Sequence, residues 1–141
     1  FLREAAETFG SQCIALSVEA KSIGQNKWQV MTDCGREKTN RDVIEWVQEA
    51  ESLSIGEVLV TSIDTEGTRE GFDLPLIGAV AQAVSVSVVA SGGAGSAEDV
   101  STLFSQINAD AAACASILHY ETCSITEVKE TLNRDGIGVR L

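Results

Sequence analysis

The chain has 141 residues, 44% of them hydrophobic, with one proline and a formal net charge of −11 from 21 acidic and 10 basic residues. No apolar run approaches the ~18 residues of a membrane span, and the opening FLREAAETFG puts charges where the apolar part of a secretory signal belongs. One cytoplasmic domain is therefore expected, and an acidic surface without a basic-aromatic patch repels nucleic acid.

From the N-terminus, LREAAETF sets Leu2, Ala5, Ala6 and Phe9 on one side of a helix. No strand precedes it and there is no initiator Met, so the expectation is a sequence cut from something longer, starting inside the helix of an earlier unit. CIALSV (residues 13–18) reads as the first strand. A longer excursion follows, IGQNKWQVMTDCG (residues 23–35), whose part from 27 to 32 predicts a hairpin-like arm.

Beyond the arm, Val43, Val47, Ala50 and Leu53 recur at helical spacing, with Trp46 beside them. Strand and helix then alternate. EVLVTSI (57–63) precedes a stripe of Ile77, Val80, Ala81 and Val84. VSVVAS (86–91) precedes Val100, Leu103, Phe104 and Ile107, and DAAACASI (110–117) precedes Ile125, Val128 and Leu132. The near-continuous apolar runs predict parallel strands buried on both faces. Ser96 with Asp99, and Ser124 with Glu127, spell capping boxes, and Gly136 is a stop for the last helix.

Four such units fill the chain, whereas a closed eight-stranded barrel takes ~250 residues. The predicted architecture is therefore α/β, a (βα)4 half of a (βα)8 barrel, with a parallel sheet and outer helices in one domain over residues 1–141. A doubly wound open sheet is the competing arrangement. Both place functional loops at the carboxyl ends of the strands.

Those ends carry small or hydroxylated residues in three cases: Thr61-Ser62, Ser91-Gly92-Gly93 and Ala115-Ser116. Turns of this kind bare backbone N–H groups to an anion, with phosphate the natural candidate, although tight turns use glycine anyway. Glu19, Asp64 and Glu66 stand at the other ends, either as general acids or bases or as loop carboxylates that cap turns. GTREG (67–71) reads as a mobile polar loop able to fold over a ligand, and His119 as a packed or hydrogen-bonded side chain. Cys13, Cys34, Cys114 and Cys123 are too widely spaced for a zinc or redox motif and read as reduced, packing thiols. No metal constellation is present, and nothing calls for a cofactor.

Taken together, GEVLVTSIDTEGTREGFDLPLI, VVASGGAGSAEDV and DAAACASILHYETCSITEVKETL with the closing GVRL resemble the cyclase subunit of imidazole glycerol phosphate synthase, a (βα)8-barrel family of histidine biosynthesis. The likeness covers residues 1–141. It matches the family's second half, from the end of its fourth helix through its eighth βα unit.

The resemblance implies an ammonia-dependent cyclase and lyase acting on a bis-phosphorylated aminoimidazole carboxamide ribonucleotide, with ammonia delivered by a glutaminase subunit. It implies that one substrate phosphate lies against Glu66, Gly67, Gly93, Ala115 and Ser116, with Ser91 and Gly92 shaping the turn. Thr61 matches a hydroxyl lining the substrate site, and Glu57, at the opposite end of its strand, a charged gate residue for ammonia.

Two positions depart from the family. Its IDAK becomes VEAK, so Glu19 stands where a catalytic aspartate is expected, and Glu66 also replaces an aspartate. The carboxylate is kept but moved by roughly one bond length, and small misplacements can cost ~100-fold in rate. The partner aspartate, the second phosphate site and most of the gate belong to the family's first half. Two functions are therefore expected: a phosphate-binding half-barrel without appreciable turnover on its own, or a structural module that forms a homodimer through open sheet edges.

Overall fold

The computed structural model describes residues 1–140; Leu141, the last residue of the expected domain, lies outside the described residues. Along β4 (Glu57–Ser62), β5 (Ser87–Ser91) and the first six residues of β1 (Ala15–Gly24), every second residue is buried. Side chains alternate across a strand, so this pattern assigns each strand one packed face. Leu16, Val18, Ala20, Val58, Val60, Ser62, Val88 and Ala90 form that face. It packs against α2 (Val43–Ser52), α3 (Leu74–Ala83) and α4 (Ala97–Gln106), with α6 (Ile125–Arg134) resting on α4.

Residues of the other register, among them Ser17, Glu19, Thr61 and Ser91, are half-buried or exposed. The expectation of strands buried on both faces is corrected here: the helices cover one face, and the face that would line a barrel is open. Ala15, Leu59 and Val89, which belong to the open register, make the runs read as apolar throughout.

β1, β4, β5 and β6 (Ala111–Ala113) pair in parallel in that order, as a (βα)4 half-barrel requires. Helix starts follow their caps. Asp42 accepts the Ile44 and Glu45 N–H groups, at 2.8 and 3.1 Å, and Asp73 accepts the Leu76 N–H while also receiving the buried Ser62 hydroxyl at 3.0 Å. Both expected capping boxes are formed, at Ser96 and Ser124. Gly136, at φ +80°, follows the last helix in the left-handed conformation that suits glycine. The first helix, α1 (Leu2–Phe9), also lies where expected.

Three boundaries differ from the sequence reading. Cys13 ends a 3-10 turn (Ser11–Cys13), so β1 begins at Ala15 and runs on to Gly24. It does so because β2 (Lys27–Thr32) folds back on it, from Gly24 opposite Lys27 to Glu19 opposite Met31. The arm is also larger than a hairpin, since β2 pairs onward with β3 (Glu37–Asp42) as an antiparallel meander. EKTNRD carries no hydrophobic signal for a strand. The Thr39 hydroxyl donating to the Val30 carbonyl at 2.6 Å helps to fix it in place.

At the other edge, β6 stops at Ala113. Ala115 and Ser116 lie beyond the strand, and a short helix, α5 (Ser116–His119), turns Ile117 into the core. Ile125, expected in the last apolar stripe, is 54% exposed.

Besides the β1–β2 ladder, a side-chain contact ties the β2–β3 turn to the parallel sheet. The Gly35 N–H donates to Glu19 Oε2 at 2.8 Å from a turn in which Asp33, Cys34 and Gly35 all have positive φ. The turn packs closely, and a Cβ on Gly35 would lie 2.9 Å from Ile63 Cδ1. A part-buried hydrogen bond to a carboxylate is worth ~1.5 kcal/mol at the lower end of its range. Glu19→Ala is therefore expected to speed amide hydrogen exchange at Gly35 about tenfold, with core amides such as Val60 unchanged. Unaltered exchange at Gly35 would show that the turn holds itself.

Candidate functional site

Across the carboxyl end of the sheet, register aligns Glu19 with Thr61, Thr61 with Ser91 and Ser91 with Ala113. Paired residues in a parallel sheet project from the same face, here the open one. Adjacent strands are ~4.8 Å apart, so Glu19 and Ser91 stand roughly 10 Å from one another. Glu57 shares this face at the other end of β4; four residues of strand put it roughly 13 Å from Thr61.

Beside Ser91 the chain makes a small polar hollow of about 40 Å³. Glu66 and Gly67 approach it from the β4–α3 loop. Ser91, Gly92, Gly93 and Ala94 come from the β5–α4 turn, and Ala113, Cys114, Ala115 and Ser116 from the end of β6. All seven residues expected around a phosphate are thus brought together, while Glu19, Thr61 and Glu57 lie outside the hollow. Ala94, Ala113 and Cys114 were missed by the sequence reading. Only their place next to glycine and serine at strand ends pointed to them.

The hollow owes its shape to backbone packing. The Gly71 N–H donates to the Gly93 carbonyl at 2.8 Å, and the Thr65 hydroxyl to that of Gly92 at 3.2 Å. A Cβ on Gly93 would stand 2.0 Å from the Gly71 carbonyl oxygen, an impossible contact, and φ at Gly93 is +100°. The GTREG loop is therefore fastened to the neighbouring turn, where the sequence suggested a mobile segment. Gly93 and Ala94 are buried, and their N–H groups, with that of Gly67, have no protein acceptor among the described residues. Buried donors of this kind call for a ligand or water.

The carboxylates divide by their partners. Asp64 takes a very short hydrogen bond from Lys21 Nζ and another from the Ser22 N–H at 2.7 Å. Burial raises its pKa, but the Lys21 bond, the Ser22 N–H and the Lys21 charge outweigh it and hold the group below the usual carboxylate range. It serves as a staple between β1 and the β4–α3 loop. Glu19 keeps Oε1 without a protein donor among the described residues, since Gly35 occupies Oε2. Glu66 Oε2 lies over the β5–α4 turn, 3.1 Å from where a Cβ on Gly92 would sit.

His119 is exposed and meets the Tyr120 ring edge-on, with centroids 4.9 Å apart, which corrects its reading as a packed side chain. All four cysteines are free, but only Cys123 is buried and Cys114 half-buried, whereas Cys13 and Cys34 are exposed. Burial, then the neighbouring Cys123, pushes the Cys114 thiol up, so it stays protonated at neutral pH. Among the described residues, no group of three or more His, Cys, Asp and Glu side chains is placed to hold a metal. No described helix is long and apolar enough to cross a membrane.

A family model described as "Histidine biosynthesis protein" matches residues 1–124. Over 140 residues the chain is 47% identical to the imidazole glycerol phosphate synthase subunit HisF of Streptococcus sanguinis (strain SK36), covering 99% of this chain and 56% of that protein. Its identity to the subunit of the same name from Streptococcus gordonii (strain Challis) is 46%, with the same coverage. The chain spans about half the length of the curated relatives it matches. With the parallel half-barrel and its strand-end site already in view, the match places the chain in the histidine biosynthesis protein family.

Proposed function

We propose that the chain is the phosphate-gripping half of an ammonia-dependent cyclase of the imidazole glycerol phosphate synthase type. The observation that carries this reading is the set of N–H groups at Gly67, Gly93 and Ala94, unpaired among the described residues, around a hollow of about 40 Å³. That space holds a few water-sized groups, enough for one tetrahedral phosphate and far too little for a ribonucleotide. The bulk of a bis-phosphorylated aminoimidazole carboxamide ribonucleotide would lie across the open face, over Ser91 and Thr61 toward Glu19.

In this arrangement Ser116 and the backbone at Gly67, Gly93 and Ala115 hold the phosphate, and Ser91 and Gly92 shape the turn. The Glu66 carboxylate accepts from a ligand hydroxyl or from the protonated oxygen of a monoanionic phosphate ester. Glu19 Oε1 is the acid or base, and Thr61 lines the path. Glu57, at the far end of the same face, meets ammonia from a glutaminase partner. Cyclisation of a two-ended substrate requires its second phosphate and an opposing carboxylate to be held as well. One half-barrel supplies one of each, and loss of orientation removes most of the rate.

A second reading, self-association, is favoured by the sheet edges. β2 covers β1 only from Glu19 to Gly24, which leaves residues 15–18 unpaired on that side, while Ala111–Ala113 forms the opposite edge. Two copies joined by these edges would close the open faces on each other in a twofold homodimer.

Titration with inorganic phosphate should shift the Gly67, Gly93 and Ser116 amides with a dissociation constant on the order of millimolar, as a few net backbone hydrogen bonds allow. If no amide moves, the hollow is only a tight turn. With the ribonucleotide and ammonium salts, the isolated chain should run at least ~100-fold below a complete barrel, measured as steady-state product formation. Sedimentation velocity at micromolar concentration should show a dimer; a lone monomer boundary removes the second reading.

A further inference from the structure

The hollow has an electrostatic deficit. Its lining includes the Glu66 carboxylate and neither lysine nor arginine, in a chain of net charge −11. Uncharged donors alone, backbone N–H groups and serine hydroxyls, would have to offset a phosphate that a neighbouring carboxylate repels.

A cation is nevertheless stationed at the rim. Arg69 lies two residues beyond Gly67, on a loop pressed so tightly to the β5–α4 turn that a Cβ on Gly95 would stand 2.1 Å from the Arg69 carbonyl oxygen and 3.0 Å from Arg69 Cβ. Its side chain therefore leaves the backbone beside Gly95, next to Ala94 in the wall of the hollow. The guanidinium sits 4.4 Å from the centroid of the Tyr120 ring, directly after α5, whose first residue Ser116 closes the hollow from the other side.

Two features bear on this arginine. Arg36, Arg41 and Arg134 each face a carboxylate, whereas Arg69, like Arg3 and Arg140, makes no ion pair among the described residues despite the excess of acids. Its backbone is also left-handed, at φ +62°, a conformation uncommon for a non-glycine residue and imposed here by the packing of the two turns. An exposed cation over a tyrosine ring is weakly held, whereas a two-pronged guanidinium bond to phosphate is among the stronger hydrogen bonds in proteins.

We propose that Arg69 is the anion-responsive arm of this site: it rests on the Tyr120 ring and swings its guanidinium onto a phosphate ester seated at Gly67, Gly93 and Ser116. The proposal rests on the reading of the hollow as a phosphate site. It adds the charge that the lining lacks and makes Tyr120 the competitor for the arm.

The test is a titration of the whole chain with inorganic phosphate, followed at the backbone amides and at the Arg69 Nε–H resonance, in wild type, Arg69→Met, Arg69→Lys and Tyr120→Leu. In wild type the Arg69 Nε–H should shift together with the Gly93 amide. Arg69→Met should bind about tenfold more weakly, with the glycine amides still responding and a shallower salt dependence. Arg69→Lys, which keeps the charge without the fork, should fall between the two. Tyr120→Leu frees the arm and should tighten binding by about two- to fivefold.

Equal phosphate affinity in wild type and Arg69→Met, with glycine shifts in both, would overturn the role of Arg69 and leave the hollow intact. Weaker binding in Tyr120→Leu would overturn the competition. Absence of any glycine shift in wild type would remove the hollow itself, and the arm with it.

Discussion

The approach of two backbone segments, residues 69–71 against residues 93–95, is the constraint on which the site depends. Three of these positions are glycine, and at Gly93 and Gly95 a side chain would stand 2.0 and 2.1 Å from carbonyl oxygens of the facing loop. Alongside the Thr65 hydroxyl on the Gly92 carbonyl, the hydrogen bond from the Gly71 N–H to the Gly93 carbonyl registers the two loops. With the Gly93 carbonyl committed to that bond, the β5–α4 turn leaves the Gly93 and Ala94 N–H groups without an acceptor among the described residues, and Ser116 closes the hollow from the side. Fixing the glycine backbone is entropically expensive, and here the rigidity confers a donor array already set before a ligand arrives.

The same economy marks the sheet. Helices cover one face so completely that Val58, Val60 and Ala90 have no exposed surface, while the opposite face presents Ser17, Glu19, Thr61 and Ser91. A face of this composition costs little when wet, which lets a four-stranded half-barrel keep a core of its own, and its polar groups are those a ligand would meet. Stability and chemistry are separated by the period-two alternation of the strands.

Glu19 joins the two. One carboxylate oxygen holds the β2–β3 turn through the Gly35 N–H, and the other has no protein donor among the described residues. The Glu19 side chain is thus anchored by the turn it meets. The Lys21–Asp64 staple next to it fastens β1 to the β4–α3 loop, so Glu19 stands on a strand braced on both sides. Asp64, at an equally suggestive place in the sequence, is consumed by that staple.

Periodicity, caps and small residues at strand ends were enough to establish the parallel βα units, both capping boxes and five of the residues that meet around the hollow, Ser91, Gly92, Gly93, Ala115 and Ser116; Glu66 and Gly67 were expected there only through the family resemblance. These features are local, with a repeat of two or 3.6 residues or a fixed three-residue box, and local patterns survive in a linear text. What only the tertiary structure decided depends on partners distant in the chain. β3 is a strand because β2 lies beside it, as nothing in EKTNRD favours one. Glu19 and Asp64 part ways because Gly35 and Lys21 reach one each, and Arg69 stands at the rim of the hollow because Gly95 lets its loop approach and Tyr120 receives its side chain. Pairings across tens of residues leave no periodic trace in sequence; they exist only once the core has brought the loops together.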